Sequence, residues 1–227
     1  MKLLIIALDG CDLEIAKKLN CKNILQKRYG YVNNDVGVPE LPSTLIWYAF
    51  LKGELYPANK YNPKIFYDLL SSKIEDTIFD EYNSVVIDFP CYGSTDVFKG
   101  EIRRALSSEE EKTKFILKRL RKFHEKFERT KSALKSRKDA DIIAVHFYLL
   151  DLMQHIYKDA STFYTFVDRC LPALFNIADD RLILIVSDHG FKDRMHHGYG
   201  FWSLNRDIDL GFPHFKDFRS IIRRLLK

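Results

Sequence analysis

The sequence predicts an α/β fold in which a mainly parallel central sheet carries helices on both faces. Three observations predict it. Residues 3–8 (LLIIAL), 84–87 (SVVI), 142–150 (IIAVHFYLL) and 181–186 (RLILIV) are nearly continuous in apolar residues. Strands covered on both faces look like this, whereas a strand with one wet face alternates. Helix-period segments lie between these runs, and the regular alternation of strand and helix implies right-handed parallel crossovers.

Taken in order, the first strand is 3–8. Residues 44–52 are apolar around most of the helical circumference, Ser43 stands where it can cap, and Gly53 falls at a left-handed C-cap, so a buried helix is expected. The strand 84–87 follows. Ser108 with Glu111 reads as a capping box opening a long charged helix, with Phe115, Ile116, Leu120, Phe123, Phe127 and Leu134 on one side and a solvated basic face elsewhere. After the strand 142–150, a helix over 161–178 leads to the strand 181–186. At the end Phe215, Phe218, Ile221, Ile222, Leu225 and Leu226 share one helical face with basic residues around it, a pattern expected to dock on its own domain rather than on a membrane. With no repeat, low-complexity stretch or linker, residues 1–227 read as one domain with a helical excursion near 107–138. Residues 54–82 and 91–107 read as loop-rich.

Composition narrows the function classes. A chain of 227 residues that is 46% hydrophobic and 14% aromatic can bury a core, which excludes a disordered or fibrous protein. Lysine and arginine number 36 against 31 acidic residues, giving a charge of +5 that favours anionic partners without demanding nucleic acid. No apolar run has membrane-span length, and the first ends early, at Asp9, so a cytoplasmic protein is expected. Cys11, Cys21, Cys91 and Cys170 form no C-x-x-C pair, which predicts reduced, structural thiols.

Ligands in open α/β sheets bind beyond the carboxyl ends of the strands, so the residues after each run matter. Asp9-Gly10 follows the first run, Asp151 the third, and Ser187-Asp188-His189-Gly190 the fourth. Asp151 and His155 are one helical turn apart and can share a face as metal ligands. Asp188 and His189 are adjacent and can both reach a metal where the backbone turns sharply, which Gly190 permits. His196-His197 adds a second histidine source beside Gly198 and Gly200. Ser43 and Thr44 begin a helix, where free N–H groups and the positive dipole end favour an anion or an incipient alkoxide. Either hydroxyl is a candidate nucleophile activated by metal coordination.

The motifs LLIIALDGCD, PSTLIWYAFLKG, LLDLMQH, IVSDHGF and HHGYGFWSLN, spread in this order over residues 3 to 205, resemble the alkaline phosphatase superfamily, most closely its nucleotide pyrophosphatase/phosphodiesterase branch. The resemblance implies an alkaline phosphatase-like fold in a minimal version, lacking the large insertions of longer members. It implies a phosphoric ester hydrolase with two divalent metal ions, zinc first, with manganese or iron also suited to the donor set. Asp9, Thr44, Asp188 and His189 would hold one metal. Asp151, His155 and His197, with His196 as the alternative, would hold the other. Thr44 would attack phosphorus and form a phosphothreonine that water then hydrolyses. The expected partner is a small phosphoester or nucleotide, with Asn59 or Asn62 near the phosphoryl group. Among the aromatics Trp47, Tyr48, Tyr92, Phe201 and Trp202, a base could stack. Asp88 has no assigned metal role and is expected either to be structural or to support the ligands from behind. No Cys- or Ser-x-Pro-x-Arg pattern occurs, which disfavours the sulfatase branch. The alternatives are a phosphomonoesterase or phosphonate hydrolase at the same site, helped by Arg194, and a non-enzymatic nucleic-acid binder using the basic helix 112–138. The second explains the charge but not the convergent ligands.

Overall fold

Leu3–Leu8 (β1) is buried along its whole length and pairs in parallel on both sides, with Ile142–Phe147 (β4) and Leu182–Ser187 (β5). Burial on both faces is what its unbroken apolar run requires. This is a computed structural model, and it describes residues 1–38, 41–60, 62–96, 100–192 and 195–227. Ser84–Ile87 (β3) pairs in parallel with β4. On the other side Gly200–Leu204 (β8) runs antiparallel to β5, and Arg28–Val32 (β2) runs antiparallel to β8. The six-stranded order is β2-β8-β5-β1-β4-β3, so the expected parallel strands are contiguous, with β3 a partly exposed edge strand rather than one covered on both faces. A separate two-stranded pairing joins Gly190–Lys192 (β6) to Met195–His197 (β7).

The helices are Leu13–Lys18 (α1), Lys22–Leu25 (α2), Ser43–Lys52 (α3), Pro63–Ser71 (α4), Glu101–Ala105 (α5), Glu109–Ser136 (α6), Leu149–Ile156 (α7), Ser161–Cys170 (α8), Pro172–Ala178 (α9) and Phe218–Leu226 (α10). They cover both faces. One core gathers α1, α2 and α6 to α9 on the sheet face that carries Leu4, Ile6 and Leu8; the other packs Trp47, Phe50, Phe89, Phe215 and Phe218 from α3, the loop after β3, and α10 with the turn before it. The C-terminal helix docks as expected, with Phe218, Ile221, Ile222 and Leu225 buried.

Several elements differ from the sequence reading. The apolar run 142–150 is strand only to Phe147, and its remainder opens α7. A buried helix start is as apolar as a buried strand, so periodicity does not separate them. The helix expected over 161–178 breaks at Leu171, because Pro172 lacks an N–H and its ring clashes with the preceding turn. Ser43 does not cap α3. It is the first helical residue after the Pro42 N-cap, while Gly53 closes the helix at φ 73° as expected. Ser108 Oγ accepts from the Glu111 amide at 3.2 Å and starts α6. The basic face of that helix is not wholly solvated, since Arg119 and Lys126 are each 3% exposed. The cysteines are free. Among the described residues no helix is long and apolar enough to cross a membrane.

Candidate metal and phosphoryl site

Three neighbouring strands deliver the site. Asp9 follows β1, Asp188 follows β5, and Asp151 lies in the first turn of α7 after β4. Because β5, β1 and β4 are adjacent, their carboxyl ends bring these side chains together. The Asp151 amide donates to the Asp9 carbonyl at 3.1 Å. Gly10, at φ 64°, makes the approach possible: a Cβ there would lie 2.8 Å from Asp151 Cβ. Gly10→Ala adds that clash to a left-handed backbone. It is expected to cost about 2–4 kcal/mol, read from the midpoint of urea unfolding at unchanged slope.

The side chains form two groups. In the first, His189 Nε2 lies 3.5 Å from Asp9 Oδ1 and 3.4 Å from Asp188 Oδ2. In the second, Asp151 Oδ1 lies 3.4 Å from both His155 Nε2 and His196 Nε2. The groups adjoin, with the His189 and His196 rings stacked at 3.8 Å between centroids. His189 Nδ1 sits 3.0 Å from the Gly190 carbonyl, and His196 Nδ1 3.4 Å from that of Leu41. An Nδ1–H donating to each carbonyl leaves the Nε2 lone pair facing the carboxylates, which is how second-sphere bonds orient metal-ligating imidazoles. Asp151 Oδ1 and Asp188 Oδ2 are buried without a hydrogen-bond partner. Orphaned carboxylate oxygens beside inward-facing imidazole nitrogens fit a divalent cation in each group.

Electrostatics agree with that fit. Burial and the Asp9 charge push Asp188 up to about 7. Burial disfavours the charged His189 ring, yet Asp188, Asp9 and Asp151 outweigh it and push its pKa up to about 10. Burial also opposes ionisation of Asp151, but His155 and His196 hold it well below the usual carboxylate range. The metal-free site therefore keeps protons that a cation must displace. Zinc affinity is expected to fall about tenfold per pH unit for each proton released as pH drops from 8 to 6. Calorimetric titration in two buffers of different ionisation enthalpy counts those protons, and a pH-independent affinity would exclude this donor set.

Of the expected ligands, Asp9, Asp151, His155, Asp188 and His189 converge. The third member of the second group is His196, the alternative; the side chain of the preferred His197 lies outside the described residues, as does Arg194. The two candidate nucleophiles, the preferred Thr44 and its neighbour Ser43, are placed differently. Ser43 Oγ is 3.1 Å from His189 Nε2 and lines a cavity of about 70 Å³ with Asp9, Asp151, His155 and His196. Thr44 is fully buried and is not among that cavity's described lining residues. Successive helical residues point about 100° apart, so the two hydroxyls leave α3 in different directions. Gly190 does not supply the sharp turn either: it opens β6 and is not among the glycines at positive φ.

The proposed aromatic and amide contacts fall elsewhere. Trp47 lines the cavity edge, but its ring is fully buried and its Nε1 reaches Asp9 Oδ2 at 3.4 Å, so it supports a ligand rather than a base. Tyr92 is tied to Asp80 at 2.8 Å, Tyr48 packs on Tyr56, and Phe201 and Trp202 are core residues. Asn59 is exposed in a 3-10 turn, and Asn62 accepts from the Ile65 amide at the start of α4. Asp88 is structural as expected, paired with Lys126 at 3.1 Å. Sequence reasoning missed His146, whose Nε2 lies 3.1 Å from Asp9 Oδ2, and Asn34, whose Nδ2 donates to the Asp188 carbonyl at 2.9 Å. The signal for His146 was a titratable ring inside an otherwise apolar strand.

A family model described as type I phosphodiesterase / nucleotide pyrophosphatase matches residues 41–209, which hold the converging side chains other than Asp9. No curated protein matches the chain. Among solved structures, the PH0037 protein from Pyrococcus horikoshii is similar at TM-score 0.57 and 14% identity, covering 99% of this chain and 96% of that one. The lipoteichoic acid synthase LtaP from Listeria monocytogenes is similar at TM-score 0.53 and 11% identity, covering 99% and 71%. At such identities the likeness is one of fold.

Proposed function

The chain belongs to the type I phosphodiesterase/nucleotide pyrophosphatase family, within the alkaline phosphatase superfamily, and from that premise we propose a phosphodiesterase or nucleotide pyrophosphatase that uses Ser43 as its nucleophile. The observation that carries the reading is the Ser43 hydroxyl, placed at the start of α3 and 3.1 Å from His189 Nε2 beside three carboxylates.

Asp9, Asp188 and His189 would hold one divalent cation, and Asp151, His155 and His196 the other. When bound, such cations lower the pKa of the serine hydroxyl and neutralise phosphoryl charge. The chain's own residues do the rest. The first-turn amides of α3 favour the anion approaching Ser43. Ser43 Oγ releases its proton to solvent and bonds to phosphorus as the bond to the leaving oxygen breaks, and that oxygen takes up a proton from solvent. Water then displaces Ser43 from the phosphoserine, and two inversions leave configuration at phosphorus retained. Asn34 and Trp47 keep the Asp188 backbone and the Asp9 carboxylate in place.

The test is hydrolysis of bis-p-nitrophenyl phosphate and p-nitrophenyl phosphate by metal-stripped protein resupplied with zinc or manganese. Diester cleavage that returns with metal, and that Asp188→Ala removes, is the expected result. Preference for the monoester would favour the phosphatase alternative, and cleavage indifferent to metal would overturn the assignment.

A further inference from the structure

A cavity of about 750 Å³ lies among α1, α7, α8 and β6, lined by residues that include Lys18, Gln154, Tyr157, Lys158, Ser161 and Phe191. It shares none of its described lining residues with the cavity at Ser43. We propose that it is a second ligand site, separate from the metal groups, which takes an aromatic organic anion of the size of a nucleoside monophosphate.

Four features carry the inference. The volume is that of a small-ligand pocket rather than of a packing gap. Its position is that of a ligand crevice, since α1, α7 and β6 each begin beyond the carboxyl end of a central strand, β1, β4 and β5 respectively. The third feature is charge. Lys18 and Lys158 are exposed at the lining and neither makes an ion pair among the described residues, while Asp159 spends a carboxylate oxygen on the Ser161 amide at 2.9 Å. Against the two ammonium groups the described lining holds one carboxylate, that of Asp159, which leaves an excess of one cation. The fourth is a rigid aromatic wall. Phe191 is buried and sets its ring edge-on to His155 at 4.8 Å, and Tyr157 packs near Phe163.

The floor is organised before any ligand arrives. Gln154 Nε2 donates to the Gly10 carbonyl at 2.7 Å and to that of Leu150 at 3.1 Å. The Tyr164 hydroxyl donates to Gln154 Oε1 at 3.0 Å and accepts from the Asp12 amide at 2.7 Å. Polar groups already paired within the protein leave shape and ring contacts to select the ligand, and the ammonium groups to select its charge. A bare phosphate would use the lysines and leave the aromatic wall unfilled.

Calorimetric titration of the full chain with AMP, and separately with inorganic phosphate, tests this in zinc-loaded and EDTA-treated samples. AMP is expected to bind with similar affinity in both samples and more tightly than phosphate. The Lys18→Glu/Lys158→Glu variant is expected to weaken AMP about tenfold or more. Its melting temperature controls for folding, and both side chains are exposed. Tyr157→Leu is expected to weaken AMP while leaving phosphate unchanged. AMP binding that vanishes with the metal places the nucleotide at Ser43 and overturns the proposal. So does equal affinity in the lysine variant, or no binding at millimolar AMP. All three results leave the hydrolytic reading standing, because bis-p-nitrophenyl phosphate turnover is measured independently.

Discussion

Ser43→Ala is expected to lower kcat on bis-p-nitrophenyl phosphate by about 10⁴-fold or more, the scale seen when a nucleophile is deleted from an otherwise intact site. Thr44→Ala is expected to keep turnover within a few fold. The two substitutions are a discriminating pair because they are adjacent and chemically alike, yet only Ser43 lines the cavity with Asp9 and Asp151. Removing one hydroxyl leaves Asp9, Asp188 and His189 in place, so zinc content should be unchanged in Ser43→Ala while turnover disappears. Thr44 is fully buried, and its loss should appear as lower stability, about 1–2 kcal/mol. Loss of turnover in Thr44→Ala with retention in Ser43→Ala would return the nucleophile to Thr44.

Lys126→Met is expected to cost about 3–5 kcal/mol of stability, the penalty for removing one partner from a buried charge cluster. Lys126 Nζ lies 3.1 Å from both Asp88 Oδ2 and Asp96 Oδ2 and donates to the His146 carbonyl at 3.1 Å. Arg119 pairs with the other Asp96 oxygen at 2.6 Å. Burial opposes ionisation of Asp88, but Lys126 and the Thr95 amide outweigh it and hold its pKa below the ordinary value. In the native protein this contribution is present above the unfolded carboxylate pKa and is lost as pH falls through the lower folded value. Without Lys126, burial dominates and raises Asp88, so the variant's penalty is present at neutral pH and fades as the carboxylate protonates. The stability gap between the two proteins should therefore narrow from pH 7 to pH 4.5 in urea unfolding. A gap independent of pH would mean that Lys126 acts through packing alone.

The parallel strands β1, β4 and β5 were legible because strands buried on both faces must be apolar throughout, and the edge strand β3 was found with them because its four residues SVVI are also nearly all apolar. β2 escaped because it is a half-exposed edge strand, RYGYV, whose pairing with β8 is long-range and leaves no local signature. The carboxylates of the site were legible from strand ends alone, since each sits where a central strand stops. The choice within Ser43-Thr44 was not. It depends on the rotation of α3 about its axis, which is set by Trp47 and Phe50 packing against Phe89 and Phe215. Lys126 was assigned to a wet face because helical periodicity records apolar positions, and a lysine whose ammonium meets two buried carboxylates looks the same in sequence as one in water.

The pairing of β6 with β7 divides the site into parts of unequal firmness. Asp9, Asp188, Asp151 and His155 are carried by a six-stranded sheet and the helix that grows from it, whereas His196 is carried by a two-strand ribbon outside that sheet. A ribbon of this size would hold its shape only marginally on its own, but Phe191 is buried against His155 and the His196 ring stacks on His189, so packing holds it. His155 and His189 therefore act as its foundation, and the position of His196 is set by ring packing rather than by the hydrogen bonds of the central sheet. Under the proposed function, a cation held by Asp151, His155 and His196 would tie that ribbon to α7, adding a second attachment to the one that ring packing already supplies.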